Sequence, residues 1–365
     1  YLPVDRMPDA PYVCLRVPTG GGKTVMATHA VGIAARSYLR ADRVTCLWLV
    51  PSNVIRAQTI RRLRTPGDPY HEALQSRFDR GVTVLDLESA LSVPPAVLDA
   101  GPCVIVATFA SLRVTDTTGR RVYAENGALA AHFARLEPGR AAALERREDG
   151  SPVESLANVL RLREPVVVVD EAHGARTDLS FESLARCAPS CVVEFTATPA
   201  QVHKPHAGLY ASNVLHHVAV AELKAEDMVK LPIRLRTRPV WTEAVADALA
   251  AQRALEAAAE RERSATGEFV RPRVLFQAQP QREGGGTVTA EVLRQALLDD
   301  FAVPKGHIAV ETGETRELEG VDLDDPGCQV RFVITVQALR EGWDCPSAYV
   351  LCSIAEVTAS RAVEQ

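Results

Sequence analysis

The chain has 365 residues, of which 47% are hydrophobic and 24% charged, and its formal net charge is −5. This is the balance of a globular chain long enough for two domains, each with its own core. The acidity excludes a globally basic nucleic-acid binder, so any contact with nucleic acid has to come from a local site.

Residues 12–17 read as a buried strand and 25–38 as a helix, with a second strand over 44–50 and a second helix over 52–63. Apolar runs at 82–85, 104–107, 166–169 and 191–195 continue the strand series. Continuous apolar strands separated by helices predict an α/β fold whose parallel sheets are covered by helices on both faces. The pattern changes between 111 and 163: residues 115–121 are polar and turn-like, and 128–147 are Ala-rich and predicted helical. This segment is expected to be an insertion on the first domain. A long charged helix is predicted over 237–271, where Trp241, Val245, Leu249 and Leu255 give a weak apolar stripe suited to a linker or bracing helix. A second strand series follows at 274–277, 307–310, 331–336 and 349–352, with a helix over 293–301. The expected plan is a first domain over 1–220, a linker and long helix over 221–271, and an incomplete second domain over 272–365.

No run approaches the ~20 apolar residues of a membrane span, and no signal peptide opens the chain. The eight cysteines include no C-x-x-C pair. Reduced, buried thiols in a cytoplasmic protein are therefore expected, and paired zinc ligands are not. His203, His206, His216 and His217 form a loose cluster that reads as surface or packing histidines.

The chemistry is concentrated in short segments. Pro18-Thr19-Gly20-Gly21-Gly22-Lys23-Thr24 stands between a predicted strand and a predicted helix. Successive glycines let backbone N–H groups turn inward around phosphate oxygens, and the helix N-terminus adds a favourable dipole. Lys23 supplies positive charge for the terminal phosphates of ATP, and Thr24 offers a hydroxyl to Mg²⁺. The strict pattern has Gly where Val17 stands. In Val166-Val167-Val168-Val169-Asp170-Glu171-Ala172-His173 an apolar strand delivers Asp170 to its C-terminal end, where ligands bind in open α/β sheets. Asp170 is a metal-shell candidate and Glu171 a candidate to polarise the attacking water. Phe195-Thr196-Ala197-Thr198-Pro199 follows the next strand, and the Thr196 and Thr198 hydroxyls could sense nucleotide and couple two domains. Near the end, Arg340-Glu341-Gly342-Trp343-Asp344 follows another strand. There Gly342 permits close backbone approach to a nucleotide, and Asp344 can face a ribose or a basic partner.

In this order the segments resemble those of superfamily-two helicases of the DEAH-box-like kind, and most closely the helicase subunit of type III restriction enzymes. Pro18–Thr24 resembles motif I, Asp170–His173 motif II, Thr196–Thr198 motif III and Arg340–Asp344 motif V. Leu49-Val50-Pro51-Ser52 resembles motif Ia, and Val106-Ala107-Thr108-Phe109 a further nucleic-acid-contacting motif. The resemblance implies two RecA-like domains of the phosphate-loop NTPase class, with ATP and Mg²⁺ in the cleft between them. Residues Thr19, Gly20, Gly21, Gly22, Lys23, Thr24, Gly342 and Asp344 would line the nucleotide, Thr24 and Asp170 would hold the metal, and Lys23, Asp170, Glu171 and His173 would carry the chemistry. His173, Thr196, Thr198 and Arg340 would link the domains. Ser52, Asn53 and Thr108 would grip a phosphate backbone without reading bases. The implied activity is ATP-driven translocation on duplex DNA, with a modification (methyltransferase) subunit as partner. A repair or RNA-directed helicase, and a nucleotide-gated binding module without turnover, remain open at this level.

The family's motif VI begins with Gln and continues to Gly-Arg and a further Arg, whereas here the sequence reads Arg361-Ala362-Val363-Glu364-Gln365 and stops. Gln365 stands where motif VI would begin, so the arginine fingers are expected beyond it. Glu222-Leu223-Lys224 has the Glu-x-Lys look of a nuclease but reads as linker. Arginine fingers are worth about 10³–10⁵ in rate in related phosphoryl-transfer sites. The isolated 1–365 chain is accordingly expected to bind ATP–Mg²⁺ but hydrolyse it poorly in a phosphate-release assay. Normal turnover would contradict this.

Overall fold

The computed structural model describes residues 1–112, 121–134, 136–171, 176–226, 228, 233–281, 286–312, 314–318, 321–323, 325–336, 345 and 347–354. The chain divides into two compact units, Tyr1–Leu231 and Pro232–Gln365. The first is built on strands β1 (Tyr12–Arg16), β2 (Thr45–Val50), β3 (Thr83–Asp86), β4 (Cys103–Thr108), β5 (Val166–Asp170), β6 (Cys191–Thr196) and β7 (Val214–His217). They form one sheet in the order β3-β4-β2-β5-β6-β1-β7, parallel throughout. Every residue of β2, β4, β5 and β6 is buried. That is why these strands appear in the sequence as unbroken apolar runs: both faces of a parallel sheet are covered.

Alternating side chains feed two cores. One face gathers Leu47, Leu49, Val167, Val169 and Val192 with helix Leu156–Arg163 (α4) and helix Asp178–Arg186 (α5). The other gathers Trp48, Val166, Val168, Val193 and Phe195 with helix Lys23–Ile33 (α1) and helix Asn53–Arg64 (α2). Each buried valine or leucine contributes about 1.5–3 kcal/mol, so the four valines ahead of Asp170 anchor β5 firmly.

The structure departs from the sequence expectations at three places. The helix predicted over 25–38 runs as an α-helix only to Ile33 and continues as a π-helix over Ala34–Leu39. The helix expected over 128–147 is replaced by a 3₁₀ turn (Gly127–His132) and a short helix (Pro138–Ala142), because Asn126 caps the first piece and Pro138 starts the second. This stretch is not peripheral to the core: Val122, Tyr123, Leu129 and Leu156 pack into it. Strand β7 is absent from the sequence expectations: its Val214 and Leu215 are followed by two histidines with no alternation, and all four residues are exposed at the sheet edge.

The second unit has strands β8 (Arg273–Gln277), β9 (Ile308–Glu311), β10 (Phe332–Thr335) and β11 (Ala348–Ser353), parallel in the order β11-β8-β10-β9. The long helix Trp241–Thr266 sinks Val245, Ala248 and Leu249 into the core of this unit, beside Val274 and Phe276. Helix Ala290–Asp299 adds Leu293 and Leu297 to the same core.

Helix α1 lies close to helix Pro69–Gln75 (α3) and the turn after it. Arg77 Nε donates to His29 Nδ1 at 2.8 Å, and a Cβ on Gly32 would stand 2.3 Å from the Arg77 Cβ. On an open helix Gly→Ala gains about 0.5–1 kcal/mol. Here overpacking reverses the sign, and Gly32→Ala is expected to lower stability by about 1–3 kcal/mol in a urea titration. A raised midpoint would contradict that.

Candidate nucleotide site

The C-terminal ends of the strands form one edge. Pairing register sets Thr108 beside Val50, Asp170 beside Phe195, and Thr196 beside Arg16. The turn after β1 is tied to this edge, because Val17 N–H donates to the Thr196 carbonyl at 3.0 Å. The turn uses its glycines for distinct reasons. Gly20 (φ 81°) and Gly22 (φ 76°) occupy left-handed backbone that side chains disfavour. Gly21 is fixed by proximity: a Cβ there would meet Val17 Cγ1 at 2.7 Å and Leu223 Cδ1 at 3.0 Å.

Gly22 is the N-cap of α1, with no side chain capping the helix and no acid in its first turn. The helix start therefore presents backbone N–H groups and the positive end of its dipole with no acid of its own first turn to offset them. Lys23, the first helical residue, is only 9% exposed. Its ammonium is ion-paired with Glu171. Glu171 itself has φ 53°, rare for a non-glycine residue and of the kind that gathers at functional sites. Burial, and then the Glu171 charge, push the Asp170 carboxyl up to about 6, against the opposing pull of Lys23, the Glu171 amide and the Thr24 hydroxyl, which favour its charged form. The structure thus brings Lys23, Thr24, Asp170 and Glu171 together beside Gly20–Gly22.

Thr196 is fully buried, and its Oγ1 accepts from Thr198 N–H at 3.2 Å. Ser52 is the N-cap of α2, its hydroxyl accepting from Ile55 N–H at 3.3 Å. Asn53 is exposed next to it, and Thr108 is buried at the end of the neighbouring strand. His173, Arg340, Gly342, Asp344 and Gln365 lie outside the described residues. Among the described residues there is no cluster of three or more His, Cys, Asp or Glu side chains able to hold a metal. One carboxylate with one hydroxyl nonetheless suits Mg²⁺, which keeps several waters and shares substrate phosphate oxygens.

Two features of this edge carried no readable sequence pattern. Helix Val220–Ala225 (α6) contains the Glu222-Leu223-Lys224 tripeptide and sets buried Leu223 behind the glycine turn. Arg176 makes a buried ion pair with Glu194; the one available signal was an acid inside the otherwise apolar run Cys191–Phe195.

The raised Asp170 carboxyl has a signed consequence. The folded protein binds that proton more tightly than the unfolded chain, so stability falls as pH rises from about 4 to about 6, by about 3 kcal/mol for that group alone. Asp170→Asn removes the charge and its pull on Lys23, which partly offset each other. The variant is expected to be more stable than the unsubstituted chain by roughly 1–3 kcal/mol at pH 7.5 and nearly equal to it at pH 4, by denaturant unfolding without nucleotide. A loss of stability at pH 7.5 would contradict it.

Residues 8–201 match the family described as "Type III restriction enzyme, res subunit". No curated protein sequence matches the chain. Among solved structures, the chain is similar to the DEAD-box helicase Mss116 bound to ssRNA and UDP-BeF, with 12% identity and a TM-score of 0.48 over 95% of this chain and 61% of that one. It is also similar to the Mycobacterium smegmatis helicase Lhr bound to ssDNA and AMP-PNP, with 15% identity and a TM-score of 0.44 over 96% of this chain and 42% of that one. It thus spans about three fifths of the length of the first and about two fifths of the second. The family match covers more than half of the 365 residues and falls on the unit that carries the glycine turn and the Asp170–Glu171 pair: the chain belongs to the family of type III restriction enzyme res subunits.

Proposed function

We propose that the chain is the motor of an ATP-driven nucleic-acid translocase or helicase, acting on duplex DNA within a type III restriction-type enzyme. The observation that carries this reading is the convergence of Lys23, Thr24, Asp170 and Glu171 on a glycine turn and a helix start, at the C-terminal edge of a parallel sheet. The family membership supports the choice of restriction enzyme and of DNA.

In this reading the phosphates of ATP are held by the backbone N–H groups of Thr19–Lys23 and by the first turn of α1. Lys23 exchanges its ion pair with Glu171 for the terminal phosphates. Glu171, released from Lys23, accepts a hydrogen bond from the attacking water and orients it. Asp170 and the Thr24 hydroxyl would hold Mg²⁺, which would supply charge neutralisation at the phosphate oxygens. A carboxyl that burial pushes up to about 6 is a group for which a divalent cation restores the charged state. Thr196 and Thr198 report nucleotide state onward, and His173, Arg340, Gly342 and Asp344, outside the described residues, keep the nucleotide and coupling roles that the family resemblance implies. Asn53, Thr108 and backbone N–H groups at the ends of β2 and β4 grip a phosphate backbone; Ser52, whose hydroxyl caps α2, contributes through its backbone. The two units, 1–231 and 232–365, are the two halves of the motor. A modification subunit that selects the DNA site would be the partner.

In the full-length protein, ATP hydrolysis is expected to rise with duplex DNA above the level seen with single-stranded DNA, RNA or no nucleic acid. Lys23→Ala is expected to lower kcat/KM by about 10²–10³, the usual effect of removing one transition-state charge contact. No stimulation by any nucleic acid would refute the motor. Stimulation by RNA alone would move the substrate to the RNA-directed helicases.

A further inference from the structure

Arg176 follows the Asp170–Glu171 box in the sequence, and its side chain is buried. Its guanidinium pairs with Glu194 of β6, the two side chains being 6% and 0% exposed. The rest of the fork is also engaged: Nη2 donates to the carbonyls of Tyr210 at 2.9 Å and Ala211 at 3.0 Å, and Nε reaches the Tyr210 carbonyl at 3.3 Å. The guanidinium lies over the rings of Tyr12 and Phe181 at 5.1 and 5.5 Å. Ser212 Oγ donates to the other Glu194 oxygen at 3.0 Å and accepts from Ala200 N–H at 3.0 Å. Ser212 N–H in turn donates to the Ala200 carbonyl at 2.8 Å.

These contacts make one path. It starts at Arg176, five residues after Glu171 in the sequence, crosses β6 two residues before Thr196, and reaches Ala200 two residues after Thr198. A charge pair so far from water is costly unless its geometry is held on every side, and here one carboxylate oxygen, two carbonyls and two ring faces hold the guanidinium, while Ser212 takes the other carboxylate oxygen. An apolar pair could fill the same space. The polar pair differs in locking three segments of chain into a single register.

We propose that Arg176 and Glu194 are positioning residues that clamp the exit of the Asp170–Glu171 box to the Thr196–Thr198 segment, so that nucleotide at the box is felt at residues 197–213. The inference rests on the nucleotide-site reading above. Neither side chain touches nucleotide; each acts through the backbone it holds.

The test is amide hydrogen exchange of the whole 365-residue chain, with and without AMP-PNP and Mg²⁺. In the unsubstituted chain the nucleotide is expected to slow exchange at the start of α1 and also, by about fivefold or more, in the 197–213 segment. Glu194→Gln leaves Arg176 buried without its counter-charge and threatens folding itself, so the informative variant is the double change Arg176→Met with Glu194→Leu, which replaces the pair by apolar groups of similar size. It is expected to keep AMP-PNP affinity within about twofold of the unsubstituted chain, and slowed exchange at α1, while losing the response at 197–213. Ser212→Ala is expected to weaken that response partially. A response at 197–213 that survives in the double variant would overturn the clamp, as would slowed exchange at α1 with none at 197–213 in the unsubstituted chain. No slowing at α1 in the unsubstituted chain would instead refute the nucleotide site, and the clamp with it.

Discussion

The Lys23 ammonium lies against the Glu171 carboxylate where little water reaches, and the Asp170 carboxylate is buried beside them. One ammonium faces two carboxylates, and that imbalance at the end of an apolar strand is what the surrounding architecture has to hold. The sheet does so by burying every residue of β2, β4, β5 and β6, so that Asp170 cannot withdraw without exposing the valines behind it. The Thr24 hydroxyl and the Glu171 amide favour the charged carboxylate, yet burial still wins and the carboxyl rises to about 6. A group kept in this state is destabilising in the protein alone and becomes favourable when cationic charge is added. That is the physical content of reading the edge as a metal–phosphate site.

The glycine turn is set against this charge by packing as much as by conformational freedom. Leu223 and Val17 press on Gly21, and the Val17 amide is bound to the Thr196 carbonyl. The turn, the acidic pair and the threonine segment are therefore parts of one edge, with Arg176 and Glu194 fastening its far side. Small displacements at the turn have few ways to relax without moving its neighbours, because packed interiors are close to incompressible.

What was legible in the sequence follows from burial. The run Val166–Val169 announced a strand because parallel strands are covered on both faces, and Asp170 stood out as the first polar residue after it. Gly20–Thr24 was legible because its chemistry is local: three glycines, a lysine and a helix start need no distant partner to be recognised. Strand β7 was illegible because an exposed edge strand carries no apolar alternation. The change from α- to π-helix at Ala34 left the apolar spacing over 25–38 looking like one helix. The Arg176–Glu194 pair joins residues on different elements, so only the isolated acid in an apolar strand hinted at it. The reach of Leu223 to Gly21 spans about two hundred residues of chain, and no local pattern encodes such a contact.

The central claim is that Asp170 and Thr24 await a cation whose charge makes the Lys23 turn a nucleotide site. The most direct measurement is the Mg²⁺ dependence of ATP-analogue affinity, by fluorescence titration of the chain and of Asp170→Asn. The account predicts that Mg²⁺ tightens binding to the unsubstituted chain by tenfold or more, about 1.4 kcal/mol, and leaves the affinity of Asp170→Asn nearly unchanged. Equal tightening in both proteins, or no binding to either, would contradict it.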